Sequence, residues 1–428
     1  MKKRQGQRSL RARQRGWLKE PALSKVLGIL NAGGTTRVAG GAVRNALLGV
    51  PVADVDLATT LAPEAVMAKA QDAGLGVHPT GIEHGTVTVV AEGRPFEVTT
   101  LRIDVETFGR RARVHFTDNW EADAGRRDFT MNALYCDADG TVHDPLGGYP
   151  DLERRVVRFV GKPQARIRED YLRILRFFRF NAQYGRGTPD RDGLRQSVRL
   201  RRNLLKLSGE RIRQELWKLL AAPRAVAMLR TMRKHGITRI LLGTDGELKA
   251  LQRIAEIDLR LKLDPDPLLR LHLLTGDAQR YRDGLKLTNS EMARLKALSS
   301  AGAPAPRLRP AERRAVLYQL GRQAYKDSIR IAWAASKAPA SDPGWKKLLL
   351  FENDAALPEF PVSGADLIAR GIKPGPAMGR TLRALEDWWI AAGFPEDKEQ
   401  VLRRLASIGT AASKDDTPIT NEGVAGDQ

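Results

Sequence analysis

Asp54 and Asp56 stand one residue apart in VADVDLAT, the first spacing along the chain that could do chemistry. On a strand, residues i and i+2 share a face. Both carboxylates would then project together while Val55 and Leu57 turn to the core. Adjacent carboxylates repel unless a cation lies between them. Mg²⁺ suits the pair, because it takes oxygen ligands and keeps substrate phosphates in its shell. Two solvated acids beside a turn would have the same letters. Upstream, Gly40 and Gly41 follow a short apolar run and open a helix-like segment, AVRNALLG. Glycines let backbone N–H groups approach a phosphate at a helix N-terminus, and Arg44 adds a fixed cationic fork. GxGxxG and GKS/T are both absent, which excludes a Rossmann or Walker loop. A phosphate cradle ahead of a two-carboxylate metal site suits an enzyme acting on a nucleoside triphosphate.

Two further stretches carry chemistry. RRDFTMNALYCD (126–137) sets Arg126, Arg127 and Asp128 just before a short helix or strand, although a helix-capping charge cluster has the same composition. In REDYLRILRFFRFNAQYG (168–185), Asp170 and Arg173 are three apart, hence neighbours on one helix face. A carboxylate beside a guanidinium can read a base edge. Cytosine offers its N4 amino group to Asp170 and N3 and O2 to Arg173; adenine offers N6 and N1 to the same pair. Uracil and guanine turn a carbonyl towards the carboxylate, a mismatch that costs a few kcal/mol when buried. The plain alternative is a surface ion pair worth a few tenths of a kcal/mol. Arg176 and Arg179 continue the spacing and would meet the triphosphate or an RNA. FEVTTLRID supplies Glu97 as the candidate third carboxylate, with Asp104 after it.

Together, GGAVRNALLG…DVDLAT, RRDFTMNALYCD and REDYLRILRFFRFNAQYG resemble the polymerase-β-like nucleotidyltransferases. Within them they are most similar to the class II group, the CCA-adding tRNA nucleotidyltransferases and bacterial poly(A) polymerases. The resemblance implies an α+β fold, with a mixed-sheet catalytic head followed by an all-helical neck, body and tail. It implies that Asp54 and Asp56 hold two Mg²⁺ ions, and that Gly40, Gly41 and Arg44 hold phosphates. Arg127 and Asp128 would contact phosphates and ribose, with Asp170 and Arg173 at the base. C, C and A would be added to a tRNA 3′ end from CTP and ATP, with the basic body gripping the acceptor arm and elbow. A poly(A) polymerase, an enzyme adding only CC or only A, and a non-catalytic RNA-binding protein remain the alternatives. The segment VETFGRRARVHFTDNWEA, between Asp104 and Asp123, occupies the place of the family's flexible loop, which the resemblance links to the switch from C to A. Asn45 departs from the pattern, because many relatives carry aspartate after the arginine; it receives no charged role. SGERIRQELWKLL (208–220) resembles the helix that follows the selecting helix, with Glu210 and Arg211 as braces and Ser208 as its cap.

The elements around these residues follow from pattern. TVTVV (86–90) and FEVTTLRI (96–103) read as strands between Gly-rich turns, whereas from about residue 151 apolar residues recur at helical spacing. Thr288 with Glu291 forms a capping-box signal. The expected domains are a flexible basic arm at 1–21, a catalytic head at 22–150, a neck at 151–225, a helical body and tail at 226–405 and a disordered C-terminus at 406–428. In the tail, GIKPGP joins two amphipathic helices, and Trp388 and Trp389 read as packing with one at the rim. The net charge of +21 attracts a polyanion, with nucleic acid the first expectation and an acidic membrane surface the second. No apolar run approaches the roughly 18–20 residues of a membrane span. The single cysteine, Cys136, excludes an intrachain disulfide and a thiolate zinc cluster. The Arg-rich start lacks the apolar core of a signal peptide; it reads as a basic arm that adds non-specific affinity for RNA or DNA, with a transit peptide as the alternative. A reducing cytoplasm is the expected compartment.

Overall fold

The computed structural model describes residues 8–31, 33–108, 111–300, 305–354 and 357–405. Eight strands make one mixed sheet, in the order β1 (Arg8–Ser9), β10 (Thr141–His143), β9 (Tyr135–Cys136), β2 (Thr36–Ala39), β3 (Asp56–Thr59), β6 (Arg94–Thr100), β5 (Thr86–Ala91), β4 (Gly76–Gly81). Alternation builds it: in β5 the side chains of Val87, Val89 and Ala91 are buried, while those between them are half-exposed. β7 (Arg102–Phe108) and β8 (Arg111–Phe116) form a separate hairpin.

Two pairings position the chemistry. β2 and β3 run antiparallel with Ala39 opposite Asp56, so the chain leaves the sheet at Gly40 beside the second aspartate. β3 and β6 run parallel with Leu57 opposite Val98, so Glu97 lies beside Asp56 on the neighbouring strand. The α+β architecture expected from sequence is therefore present, with the sheet in the first third of the chain and helices beyond it. The chain divides into two compact units, residues 1–252 with 264–287, and residues 253–263 with 288–428. The core of the second is built in part from Val362, Leu367, Leu385, Trp389, Phe394 and Val401. Trp389 is its buried anchor and Trp388 packs partly buried beside it, as the sequence indicated. GIKPGP does link two helices there, Gly364–Ile368 and Pro376–Ala391.

Several expectations are corrected. Residues 8–20 are no flexible arm: Arg8–Ser9 extends the sheet, and Leu10 and Leu18 are buried. The stretch between Asp104 and Asp123 is a hairpin followed by the helix Trp120–Gly125 rather than a loop, because RRARVHF keeps a strand-like alternation. FEVTTLRI breaks at Leu101, which is fully buried between β6 and β7. Ser208 precedes the helix Gly209–Ala221 without a capping bond from its side chain, whereas the Thr288–Glu291 box forms in both directions. The C-terminal stretch 406–428 lies outside the described residues. Among the described residues no helix is long and apolar enough to cross a membrane.

Candidate active site

Gly40 opens the site. Its backbone lies in the left-handed region (φ 67°), and a Cβ there would come within 2.9 Å of the Arg127 guanidinium, so glycine alone fits. The helix Gly41–Leu48 starts at once, its first internal bond running from Arg44 N–H to Gly40 C=O (3.0 Å). No side chain caps this end. The N–H groups of the first turn therefore remain donors for an anion.

Arg44 stands on that first turn, almost wholly buried. Its guanidinium donates to Asn132 Oδ1 (2.5 Å), to Asn45 Oδ1 through Nε and Nη2 (3.1 and 2.9 Å), and to the Tyr184 hydroxyl (2.8 Å). Every acceptor is neutral, so the charge is oriented without being cancelled. Burial works against that charge and holds the guanidinium below its ordinary pKa. Asn45 is thus an orienting acceptor, itself fixed by donating to Pro51 C=O (3.1 Å).

Asp128 is buried and held below the usual carboxylate range despite the desolvation that opposes it, chiefly by Arg176 (2.5 Å) and then by Asn132 (2.9 Å). Arg176 also reaches Glu215, which pairs with Arg179 (2.5 Å). Asp170 lies just ahead of the helix Leu172–Gln183, not on it. Its Oδ1 accepts from Leu172 N–H (3.1 Å) and its Oδ2 from Arg211 (2.7 Å). Arg173 turns from Asp170 to Glu169 Oε2 (2.5 Å) and donates to Arg166 C=O (2.9 Å). The two groups accordingly form no ion pair with each other; each is held separately and presented to the same space.

That space is a cleft of about 490 Å³, within the range of small-ligand sites. Its lining includes Gly40, Gly41, Arg44, Arg127, Asp128, Asp170, Arg173 and Arg176. Arg179 is not among the lining residues; it is taken up by Glu215 and lies over the Phe180 ring (4.2 Å). Asn132 and Tyr184, which hold Arg44, carry no signal of their own in the sequence, and Arg211, expected only as a brace, holds Asp170. Asp123 likewise carries no such signal; it is buried and accepts from Arg126 (2.8 Å), Arg127 (3.2 Å) and the Tyr135 hydroxyl (2.6 Å).

A second cleft holds Asp54, Asp56 and Glu97. Asp54 precedes the strand and Asp56 begins it, with the buried Val55 between them as alternation requires. The Asp56 carboxyl is pushed above its ordinary range by partial burial first and by the Glu97 charge second; Arg127 pulls the other way and Asp54 adds to the rise. Among the described residues no set of three or more His, Cys, Asp and Glu side chains closes round a metal by itself. A strand carboxylate whose pKa is raised by its neighbours' charges fits Mg²⁺, which takes one or two carboxylates and fills its shell with water and phosphate oxygens.

A glycine turn feeding an uncapped helix, a carboxylate pair on the adjoining strand and a lined cleft beside it define a nucleotidyltransferase with a polymerase-β-like head. The comparisons narrow the class. Residues 36–158 match the family model of the "Poly A polymerase head domain", and 191–245 that of the "Probable RNA and SrmB- binding site of polymerase A". The chain is 35% identical to CCA tRNA nucleotidyltransferase 1, mitochondrial, of Danio rerio over 86% of each protein. It is 33% identical to the CCA-adding enzyme of Geobacillus stearothermophilus over 89% of this chain and 96% of that one. The crystal structure of Bacillus stearothermophilus CCA-adding enzyme in complex with CTP superposes with a TM-score of 0.75 at 30% identity, covering 92% of this chain and 99% of the other. The chain belongs to the CCA-adding tRNA nucleotidyltransferases.

Proposed function

We propose that this chain completes tRNA 3′ ends, adding C, C and A from CTP and ATP, and that all three additions use the one cleft described above. The observation that carries the reading is the shared lining. Donors for phosphate, a buried carboxylate for ribose and a carboxylate–guanidinium pair for a base lie along a single 490 Å³ space.

The first-turn N–H groups of the helix Gly41–Leu48, with Arg44 and Arg127, hold the triphosphate. Asp128 accepts four hydrogen bonds, two from Arg176 and one each from Asn132 and Phe129 N–H, and takes a ribose hydroxyl by sharing or exchanging one of them. Asp170 accepts the amino group of C or A while Arg173 donates to the ring acceptor. Arg176 keeps Asp128 ionised, and Arg179 supports it through Glu215. Asp54 and Asp56 would hold two Mg²⁺ ions, with Glu97 as the third carboxylate. Bound there, the ions supply a lowered pKa for the 3′-hydroxyl and charge neutralisation for the departing pyrophosphate. The tRNA 3′-oxygen attacks the α-phosphate in line, and the surplus positive charge of the chain supplies affinity for the acceptor arm and elbow. The cytoplasm is the compartment proposed, on a lone cysteine that is buried and free.

The one-cleft reading is tested by equilibrium competition. CTP and ATP are expected to displace each other with inhibition constants equal to their own dissociation constants, while UTP and GTP compete about 10²-fold more weakly. Simultaneous binding of CTP and ATP would refute it.

A further inference from the structure

The Arg-rich N-terminal segment lies outside the catalytic clefts, yet it is folded onto the head. Leu10 N–H donates to Gly140 C=O (2.8 Å), the Gln14 amide to Leu47 C=O (3.2 Å), and the Trp17 indole to Gln14 C=O (2.7 Å). Its one acid, Glu20, is paired with Arg94. Arg11, Arg13, Arg15 and Lys19 remain exposed, and no carboxylate pairs with them among the described residues. Folding has therefore concentrated positive charge on a fixed ridge and left it uncompensated.

The ridge borders a groove of about 610 Å³. Arg13, Gln14 and Trp17 form one wall, and the chain from Ala46 to Val52 forms the other. Trp17 is half-buried, leaving part of its ring in the groove. Val52 lines this groove and Ala53 lines the carboxylate cleft. From Val52 to Asp56 is four residues, a span of at most about 14 Å. The groove therefore opens within a few nucleotides' reach of the point where the 3′-hydroxyl must arrive.

We propose that the Arg11–Lys19 ridge and this groove bind the sugar–phosphate backbone of the tRNA substrate next to its 3′ end, an inference that rests on the reading of the chain as a tRNA nucleotidyltransferase. The chemistry favours a polyanion with flat rings over an acidic protein. Guanidinium groups neutralise phosphates without regard to sequence, and an indole face beside them takes a base or ribose. The chain Ala46–Val52 that forms one wall runs on directly to Asp54 and Asp56, so RNA lying there would stay in register with the carboxylates.

The test uses the full-length protein, a tRNA transcript ending before CC, and CTP. Dissociation constants for the tRNA and initial rates are measured from about 50 to 200 mM KCl for the parent, for the triple variant Arg11→Glu/Arg13→Glu/Arg15→Glu, and for Arg13→Ala. The triple variant is expected to raise the KM for tRNA at least about 10-fold and to flatten the slope of log Kd against log [salt] by about 2–3, the loss of three phosphate contacts at about 0.7–0.9 each. Arg13→Ala should flatten the slope by about 1 contact's share, and the KM for CTP should not move in either variant. An unchanged slope and tRNA KM would overturn the inference and leave the functional reading intact. A lowered melting temperature with a raised KM for CTP would mark the segment as a structural brace and overturn it as well. A parent chain that binds no tRNA overturns both.

Discussion

Replacing Asp54 and Asp56 together by alanine is expected to cut CMP incorporation by at least about 10³-fold, the scale of several kcal/mol of transition-state charge stabilisation. The fold should survive the change. Both side chains reach solvent, and the packing between them comes from Val55 and Leu57, which remain. Folding raises the Asp56 carboxyl above its unfolded value, so the folded state holds that proton more tightly, and ionisation costs stability as the pH rises through the window between the two values. At neutral pH the double variant should therefore melt no lower than the parent. Single-turnover incorporation and scanning calorimetry on one preparation separate the two effects. A double variant that still incorporates nucleotide at a tenth of the parental rate would defeat the assignment of these carboxylates.

The second large effect lies at the base. Asp170→Ala is expected to lower kcat/KM for CTP and ATP by about 10²-fold while leaving UTP and GTP nearly unchanged, so that discrimination collapses. The reason is asymmetric: the correct bases lose a charge-assisted acceptor, whereas the wrong ones lose an unmatched carboxylate that had opposed them. Arg211→Ala should move discrimination in the same direction by a smaller factor, because Arg211 holds Asp170 Oδ2 at 2.7 Å and leaves Oδ1 on the Leu172 N–H. Parallel kcat/KM measurements with all four triphosphates check both. Equal losses for all four would mean that Asp170 supports the neck and reads nothing.

Local spacing carried the phosphate turn and the acids far. Once GGAVRN leaves a strand antiparallel to DVDLAT, the pairing of Ala39 with Asp56 places Gly40 beside the second aspartate. Glu97 was readable as a strand acid, but its place beside Asp56 depends on the parallel pairing of β3 and β6, which no local pattern fixes. Asp170 and Arg173 were singled out by the resemblance of their segment, and the geometry that spacing suggested for them, neighbours on one helix face, was misjudged. REDYLRIL contains no helix breaker, and the helix starts late because Asp170 spends its own carboxylate on the Leu172 N–H. Arg211 lies 41 residues from Asp170 and meets it only because the helices Leu172–Gln183 and Gly209–Ala221 pack together. Asp123 was hidden for a similar reason, since its partners become evident only when Tyr135 folds back over it. In the N-terminal segment composition misled: surplus arginine suggests a solvated tether, while buried Leu10 and Leu18 and the pairing of Arg8–Ser9 with Thr141–Val142 seat it on the head.

The central claim is that one protein cleft, with no nucleic-acid template, dictates the sequence C-C-A on tRNA. It is tested most directly by sequencing the 3′ ends made from three RNAs, a tRNA transcript ending before CC, one ending before A, and an unstructured RNA, each supplied with CTP and ATP separately and together. Growth by CC with CTP alone, completion to CCA with both, a single A on the second transcript, and no extension of the unstructured RNA are expected. Long A tails on the unstructured RNA with ATP alone would contradict it.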